Sequence, residues 1–277
     1  MKGIGTEGRS PHSAHRTAPQ SRHVRLGDVE VNRIGVGTNR LRDTDENVAF
    51  IRAAVDLGVQ MIDTAHLYTG GESEKTIGRA LSPMPSGVVI ATKGGYGEGG
   101  RGRPEALRRE IEQSLASLRV DHIALYYLHR VDPETPIEES LGAIKEYVDN
   151  GAIERVGISK VDIPLIERAR TVLPIAAVQN EYNLAVRTHD DVVDYCSREG
   201  IMFVPYYPLG AEPGRALRET TKRHQATPRQ VMLAWLLKRS PAMLPIPGTL
   251  SLAHLEENLG ALSLELSDTE FSDIAGR

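Results

Sequence analysis

The chain has one cysteine, Cys196, among its 277 residues, which excludes an internal disulfide framework and any all-cysteine metal site. Aromatic side chains are scarce: three Phe, one Trp and nine Tyr make up 5% of the residues. No apolar run approaches the ~18 residues that cross a bilayer, and the longest, 172–178 and 123–128, are strand-sized. Neither sign of charge dominates, with 33 Lys and Arg against 37 Asp and Glu. The first 23 residues hold four of the basic groups and one of the acidic ones, so the rest of the chain carries 29 against 36. An acidic body without a basic block argues against nucleic acid as a partner, while local donor clusters can still bind small anions. His122 and His129 are spaced too far apart along a strand to share a metal, so no metal site is expected.

Turn formers are plentiful, with 26 Gly and 16 Pro. Residues 1–22 are rich in Gly, Ser, Pro, His and Arg without apolar periodicity, and read as an unstructured leader. They contain no apolar core of a secretory signal, so a cytoplasmic protein without a membrane anchor is expected. From residue 23 one regular rhythm takes over, and 23–277 reads as a single domain. A hairpin over 23–26 and 30–32 turns at Gly27-Asp28. Eight short apolar runs follow, at 34–37, 61–63, 88–92, 123–128, 156–157, 177–179, 202–205 and 244–246. They are apolar throughout, as strands of a parallel sheet buried on both faces must be.

Between them lie helix patterns at 45–57, 73–81, 104–118, 136–150, 163–171, 189–198, 228–239 and 251–262. Pro104, Pro136 and Pro228 stand where a first helical turn tolerates a missing N–H, and Gly58, Gly151 and Gly200 mark C-terminal stops. Leu107, Ile111, Leu115 and Leu118 share one helix face. Eight βα units without a break in composition predict a closed (β/α)8 TIM barrel, with the N-terminal β-hairpin at the barrel bottom. A doubly wound sheet is the rival, but Gly35-Val36-Gly37 continues as Thr38-Asn39-Arg40 and lacks the third glycine of a dinucleotide fingerprint.

In such a barrel the chemistry collects at the C-terminal ends of the strands. Those ends carry Asp63, Lys93 and His129 on strands two, three and four, with Tyr68 on the loop after Asp63. An acid, an amine, an imidazole and a phenol on one rim form a proton-transfer set. Lys93 is expected to lower the pKa of Tyr68, Asp63 to keep Lys93 charged, and neutral His129 to donate to a carbonyl oxygen. The glycine-rich run 93–102 lacks the Gly-Lys-Ser/Thr of a phosphate loop and reads as a mobile loop over the site.

The segments Ile62-Asp63-Thr64-Ala65-His66-Leu67-Tyr68, Ala91-Thr92-Lys93 and Leu128-His129 resemble the signatures of the aldo-keto reductases. In the same order follow Gly157-Ile158-Ser159, Gln179-Asn180-Glu181-Tyr182-Asn183, Tyr206-Tyr207-Pro208-Leu209-Gly210, Pro245-Ile246-Pro247-Gly248-Thr249 and Glu257-Asn258. The resemblance spans about residues 24–262. It implies an NADP-dependent oxidoreductase that reduces an aldehyde or ketone to the alcohol, or runs the reverse, with the cofactor binding first. Tyr68 is then the general acid, tuned by Lys93 and Asp63, and His129 positions the carbonyl. Ser159 and Gln179 hold the nicotinamide carboxamide, and Tyr206 stacks on its ring with Pro208 and Leu209 beside it. Gly248 and Thr249 contact phosphate, and Glu257 and Asn258 contact adenine.

Many family members carry a Lys in place of Gly248 and an Arg in place of His254, which clamp the 2′-phosphate. Their absence leaves NADH open beside the preferred NADPH. Lys160 stands where an Asn is commoner and is left out of the expected contacts. The resemblance is closest to bacterial members, some of which act on pyridoxal, so the expected partner is a small carbonyl compound bound by a monomer. Few aromatics and short connecting loops predict an open pocket. Two other readings stay open. A barrel lyase or hydrolase using Asp63, Lys93 and His129 would not respond to nicotinamide, and a non-catalytic regulatory subunit would bind NADPH without turnover.

Overall fold

The computed structural model describes residues 21–276; except for its last two residues, the expected leader lies outside the described residues. The chain opens with an antiparallel hairpin, β1 (His23–Leu26) and β2 (Val29–Asn32), turning at Gly27 with φ 61°. A parallel sheet follows in sequence order: β3 (Val36–Gly37), β4 (Met61–Asp63), β5 (Val89–Gly94), β6 (Leu125–Leu128), β7 (Val156–Ser159), β8 (Ile175–Glu181) and β9 (Met202–Tyr206). Helices α1 (Asp45–Asp56), α2 (Glu72–Leu81), α3 (Pro104–Leu118), α4 (Ile137–Asp149), α5 (Ile163–Arg170) and α6 (Asp190–Glu199) alternate with these strands. After β9 come α7 (Arg215–His224), α8 (Pro228–Arg239), α9 (Leu252–Gly260) and α10 (Asp268–Ile274).

The eighth expected strand, 244–246, closes the ring without forming a regular strand. Phe203 N donates to Ala242 O (2.8 Å) and Leu244 N to Phe203 O (2.9 Å), while Gly35 N donates to Pro245 O (3.0 Å) and Gly37 N to Pro247 O (3.3 Å). Segment 242–248 thus bonds β9 on one side and the β3 segment on the other. Pro245 and Pro247 have no N–H to give, so half of a normal ladder is missing there. The (β/α)8 barrel is closed.

Helix ends follow the cap chemistry of the sequence. Thr44, Asp162 and Ser251 accept from backbone N–H groups of the first turns of α1, α5 and α9, and Thr227 with Gln230 forms a capping box on α8. Helices α7 and α10 were not foreseen: α7 is almost entirely polar on its surface, and α10 is short. The Ser267–Glu270 capping box of α10 was the available signal.

Side chains alternate across each strand. Ile62, Ile90, Tyr126, Ile158, Val178 and Phe203 belong to the cluster shared with the helices. Met61, Val89, Leu125, Ala177 and Met202 belong to a second cluster inside the barrel, with Val24, Leu26 and Val31 of the hairpin. The hairpin therefore plugs the N-terminal end of the barrel. Moving two residues at a time up the inward column leads from Met61 to Asp63, from Ala91 to Lys93, from Tyr127 to His129, from Ala177 to Gln179 and from Val204 to Tyr206. The polar column at the open end is a consequence of strand periodicity. No helix of the described residues is long and apolar enough to cross a membrane.

Candidate active site

Lys93 is fully buried, and its Nζ donates to Asp63 Oδ1 at 2.5 Å and to Thr64 O at 2.7 Å. The other Asp63 oxygen accepts from Gln179 Nε2 at 2.8 Å. Burial pulls the Lys93 pKa down, but the Asp63 carboxylate and Tyr68 outweigh it and hold the ammonium above its ordinary value. The same Nζ lies 5.1 Å from the centre of the Tyr68 ring. Tyr68 opens a tight turn (Tyr68–Gly71), left-handed at Thr69 and Gly70, on the rim after β4. Its pKa is raised, chiefly by burial, and Lys93 only partly offsets this. The expectation that Lys93 lowers the phenol below its ordinary value therefore does not hold for the chain alone, because desolvation is the larger effect. Tyr68 remains a protonated donor through neutral pH.

His129 follows β6, with its N–H bonded to Gly94 O at 2.8 Å. Burial, with Lys93 and Lys160 nearby, lowers its pKa to about 2. It is a neutral imidazole at any working pH, and its Nδ1 has no partner among the described residues. The Tyr68 and His129 rings stand edge to face at 5.9 Å.

Asp63, Tyr68 and His129 face one cavity of about 840 Å³, and Lys93 stands behind them. Ser159, Gln179, Tyr206, Pro208, Leu209, Gly248 and Thr249 line the same cavity. Ser159 Oγ donates to Gln179 O at 2.7 Å, which leaves its lone pairs as acceptors toward the cavity. Glu257 and Asn258 do not line the cavity. Glu257 accepts from Thr227 Oγ1 at 2.6 Å and faces Arg229 at 3.7 Å, while Asn258 is buried with Oδ1 unpartnered. Glu257 is partly exposed beside Arg229, which does line the cavity. Tyr207 is 63% exposed and Leu67 and Leu250 stand at the rim, so the cavity is open to solvent.

The aldo/keto reductase family model matches residues 33–276. The chain belongs to the aldo/keto reductase family. It is 37% identical over 276 residues to an uncharacterized oxidoreductase of Schizosaccharomyces pombe, covering 93% of this chain and 90% of that one. It is 34% identical to the pyridoxine 4-dehydrogenase of Escherichia coli, covering 91% and 96%. The crystal structure of an aldo/keto reductase from Klebsiella pneumoniae in complex with NADP and acetate superposes with a TM-score of 0.82 at 28% identity, covering 91% of this chain and 94% of that one.

Tyr96, Arg40 and Arg229 line the cavity of this family member without having been expected there, and Lys160, left out of the expected contacts, lines it too. The strand-end rule that found His129 also reaches Lys160, the residue after β7. Tyr96 sits on the glycine-rich loop and packs against His129 at 4.7 Å. That loop takes its shape from Gly95, Gly97 and Gly100, all with positive φ. It is tied at both ends: Gly95 N donates to Glu110 at 2.7 Å and Gly102 N to Asp132 at 2.7 Å. The two ends are anchored, while the stretch between them, 96–99, is exposed.

Proposed function

We propose that this protein is an NADPH-dependent reductase of small aldehydes or ketones. The observation that carries the reading is the buried Asp63–Lys93 pair set against a protonated Tyr68, with neutral His129 beside it on the same cavity. Tyr68 donates its proton to the carbonyl oxygen as negative charge develops there, and Lys93 stabilises the phenolate left behind. Asp63 keeps Lys93 charged, and Gln179 fixes the other Asp63 oxygen. His129 has one N–H to give and orients the oxygen toward Tyr68.

The cavity residues fit a nicotinamide dinucleotide. Ser159 and Gln179 stand at one end with the half-buried Tyr206 ring, a surface for stacking a flat heterocycle. At the other end Gly248 approaches Asn39, and Arg229 leans on Glu257 of α9. Arg40, Arg229 and His254 line this end, and the two arginines supply cationic groups where Gly248 and His254 replace the commoner Lys and Arg. The bound cofactor supplies the hydride; the residues here bind it, orient it and deliver the proton. NADPH is assigned by likeness to the NADP-bound Klebsiella relative, and a pyridoxal-like aldehyde is a candidate substrate by likeness to the Escherichia coli one. Residues 23–277 act as the single working domain.

The test is oxidation of NADPH and NADH in the presence of a panel of aldehydes. The proposal expects aldehyde-dependent loss of reduced nicotinamide, faster with NADPH. Binding of NADPH without any aldehyde-dependent oxidation overturns it.

A further inference from the structure

We propose that Lys160 recognises an anionic group on the substrate, so that the preferred substrates are aldehydes or ketones bearing a carboxylate or phosphate near the carbonyl. The proposal deepens the reductase reading and rests on it.

The cavity is more basic than the protein around it. Among the described residues its one lining carboxylate, Asp63, is committed to Lys93 and Gln179. Against it stand Arg40, Lys160 and Arg229, in a chain whose net charge is −4. The two arginines stand toward the α9 end, where Asn39 nears Gly248 and Arg229 faces Glu257. Lys160 is at the other end. Its Nζ lies 4.8 Å from the centre of the Tyr96 ring and 5.9 Å from that of Tyr206, and Tyr96 in turn packs on His129. The ammonium is close enough to His129 to help depress its pKa. It therefore stands beside the place where the carbonyl would react.

Lys160 is exposed at the cavity mouth, and its ammonium rests on aromatic faces without a carboxylate partner among the described residues. Glu181, whose charge acts on the Tyr206 hydroxyl, does not reach it. The backbone of Lys160 is left-handed, with φ 59°, a conformation that Asn or Gly adopts at lower cost than a long side chain. Two aromatic faces hold the ammonium in position, with its N–H groups left to meet an anion. A substrate anion there is held by charge while its carbonyl lies between Tyr68 and His129.

The decisive comparison pairs acids with their neutral isosteres: succinic semialdehyde and para-carboxybenzaldehyde against their methyl esters, and glycolaldehyde phosphate against glycolaldehyde. The protein is expected to favour the anion in each pair, the carboxylate and phosphate arms showing which group the site prefers. In Lys160→Met the ratio of kcat/KM for acid over ester falls roughly fivefold, the worth of a partly exposed ion pair, through KM rather than kcat. Lys160→Arg retains the preference, and added salt weakens it.

A direct measurement separates this proposal from the reductase reading beneath it. Benzoate titrated into the NADPH-loaded protein should bind roughly fivefold more weakly to Lys160→Met, whereas benzamide should bind both alike. If no aldehyde is reduced but benzoate still discriminates, the reductase reading fails and the anion site stands. The proposal is overturned if the acid-to-ester ratio and benzoate affinity are the same in wild type and Lys160→Met. It is equally overturned if the variant loses affinity for NADPH while both members of each pair change together, which would make Lys160 a cofactor contact.

Discussion

The buried pair of Lys93 and Asp63 supports a quantitative prediction. Lys93 is fully buried and Asp63 is 3% exposed, so Asp63→Asn leaves an ammonium in a dry site with Thr64 O as its remaining strong acceptor. Removing one partner of a buried ion pair costs about 3–5 kcal/mol. A second route gives a similar figure. Without the carboxylate, burial dominates, and lysines so placed titrate near ~5–6 instead of ~10.4. Keeping Lys93 neutral at pH 7 then costs about 1.4 kcal/mol for each of roughly 3.4 pH units, or about 4.6 kcal/mol.

The sign of the pH dependence follows. In Asp63→Asn the folded chain binds one proton fewer than the unfolded chain between neutral pH and about pH 10, so its stability rises with pH by about 1.4 kcal/mol per unit. In the wild type the Lys93 pKa is raised rather than lowered, and this slope is absent. The double variant Asp63→Asn, Lys93→Met should lose the slope and regain much of the stability, because an apolar replacement leaves no buried charge. The assay is denaturant unfolding of all three proteins at several pH values. A loss below about 1 kcal/mol for Asp63→Asn, with no slope relative to the double variant, would refute the reasoning.

His129 predicts an acid-sensitive fold. Its folded-state pKa lies well below the ordinary 6.5, so its stabilising effect is present above pH 6.5 and is lost as the pH falls. Between pH 6.5 and 5 the wild type should lose about 1.6 kcal/mol more than His129→Gln, measured by unfolding; equal losses contradict a buried neutral imidazole. Tyr68 predicts the rate profile. Because its pKa is raised above 10.0, reduction should stay level from about pH 6 to 9 and fall only as the phenol ionises, with no acid limb from His129. A fall in kcat/KM between about pH 7 and 8, at constant cofactor binding, would show that the cofactor or substrate resets the phenol or that another group is the acid.

The parts of the site that were legible in the sequence lie on regular strands. Asp63, Lys93 and His129 close their runs in the inward register, so strand periodicity and the barrel rule were enough to bring them together. Tyr68 needed only a short step along a loop. What escaped depended on tertiary balance. The Tyr68 pKa turns on how burial weighs against Lys93, and no spacing records burial. Glu257 and Asn258 lie on a helix whose facing surface is set by packing against α8, where Thr227 and Arg229 engage Glu257. Residues 244–246 read as a strand by their apolar run, but Pro245 and Pro247 remove the donors that a regular strand needs.

The open pocket expected from the scarcity of aromatics is found, yet aromatic side chains are not scarce within it. Tyr68, Tyr96, Tyr206 and Tyr207 all line the cavity, four of the nine tyrosines in the chain. These four tyrosines gather at the cavity, while the lone tryptophan, Trp235, is buried between Tyr182 and Phe271.

The central claim is that the Tyr68 hydroxyl delivers the proton. It is tested most directly by single-turnover reduction of an aldehyde by NADPH-loaded Tyr68→Phe, with NADPH affinity measured alongside. Cofactor affinity is expected within about twofold of wild type, with the chemical step slowed by about 10²–10⁴. A Tyr68→Phe protein that reduces aldehyde at the wild-type rate contradicts it.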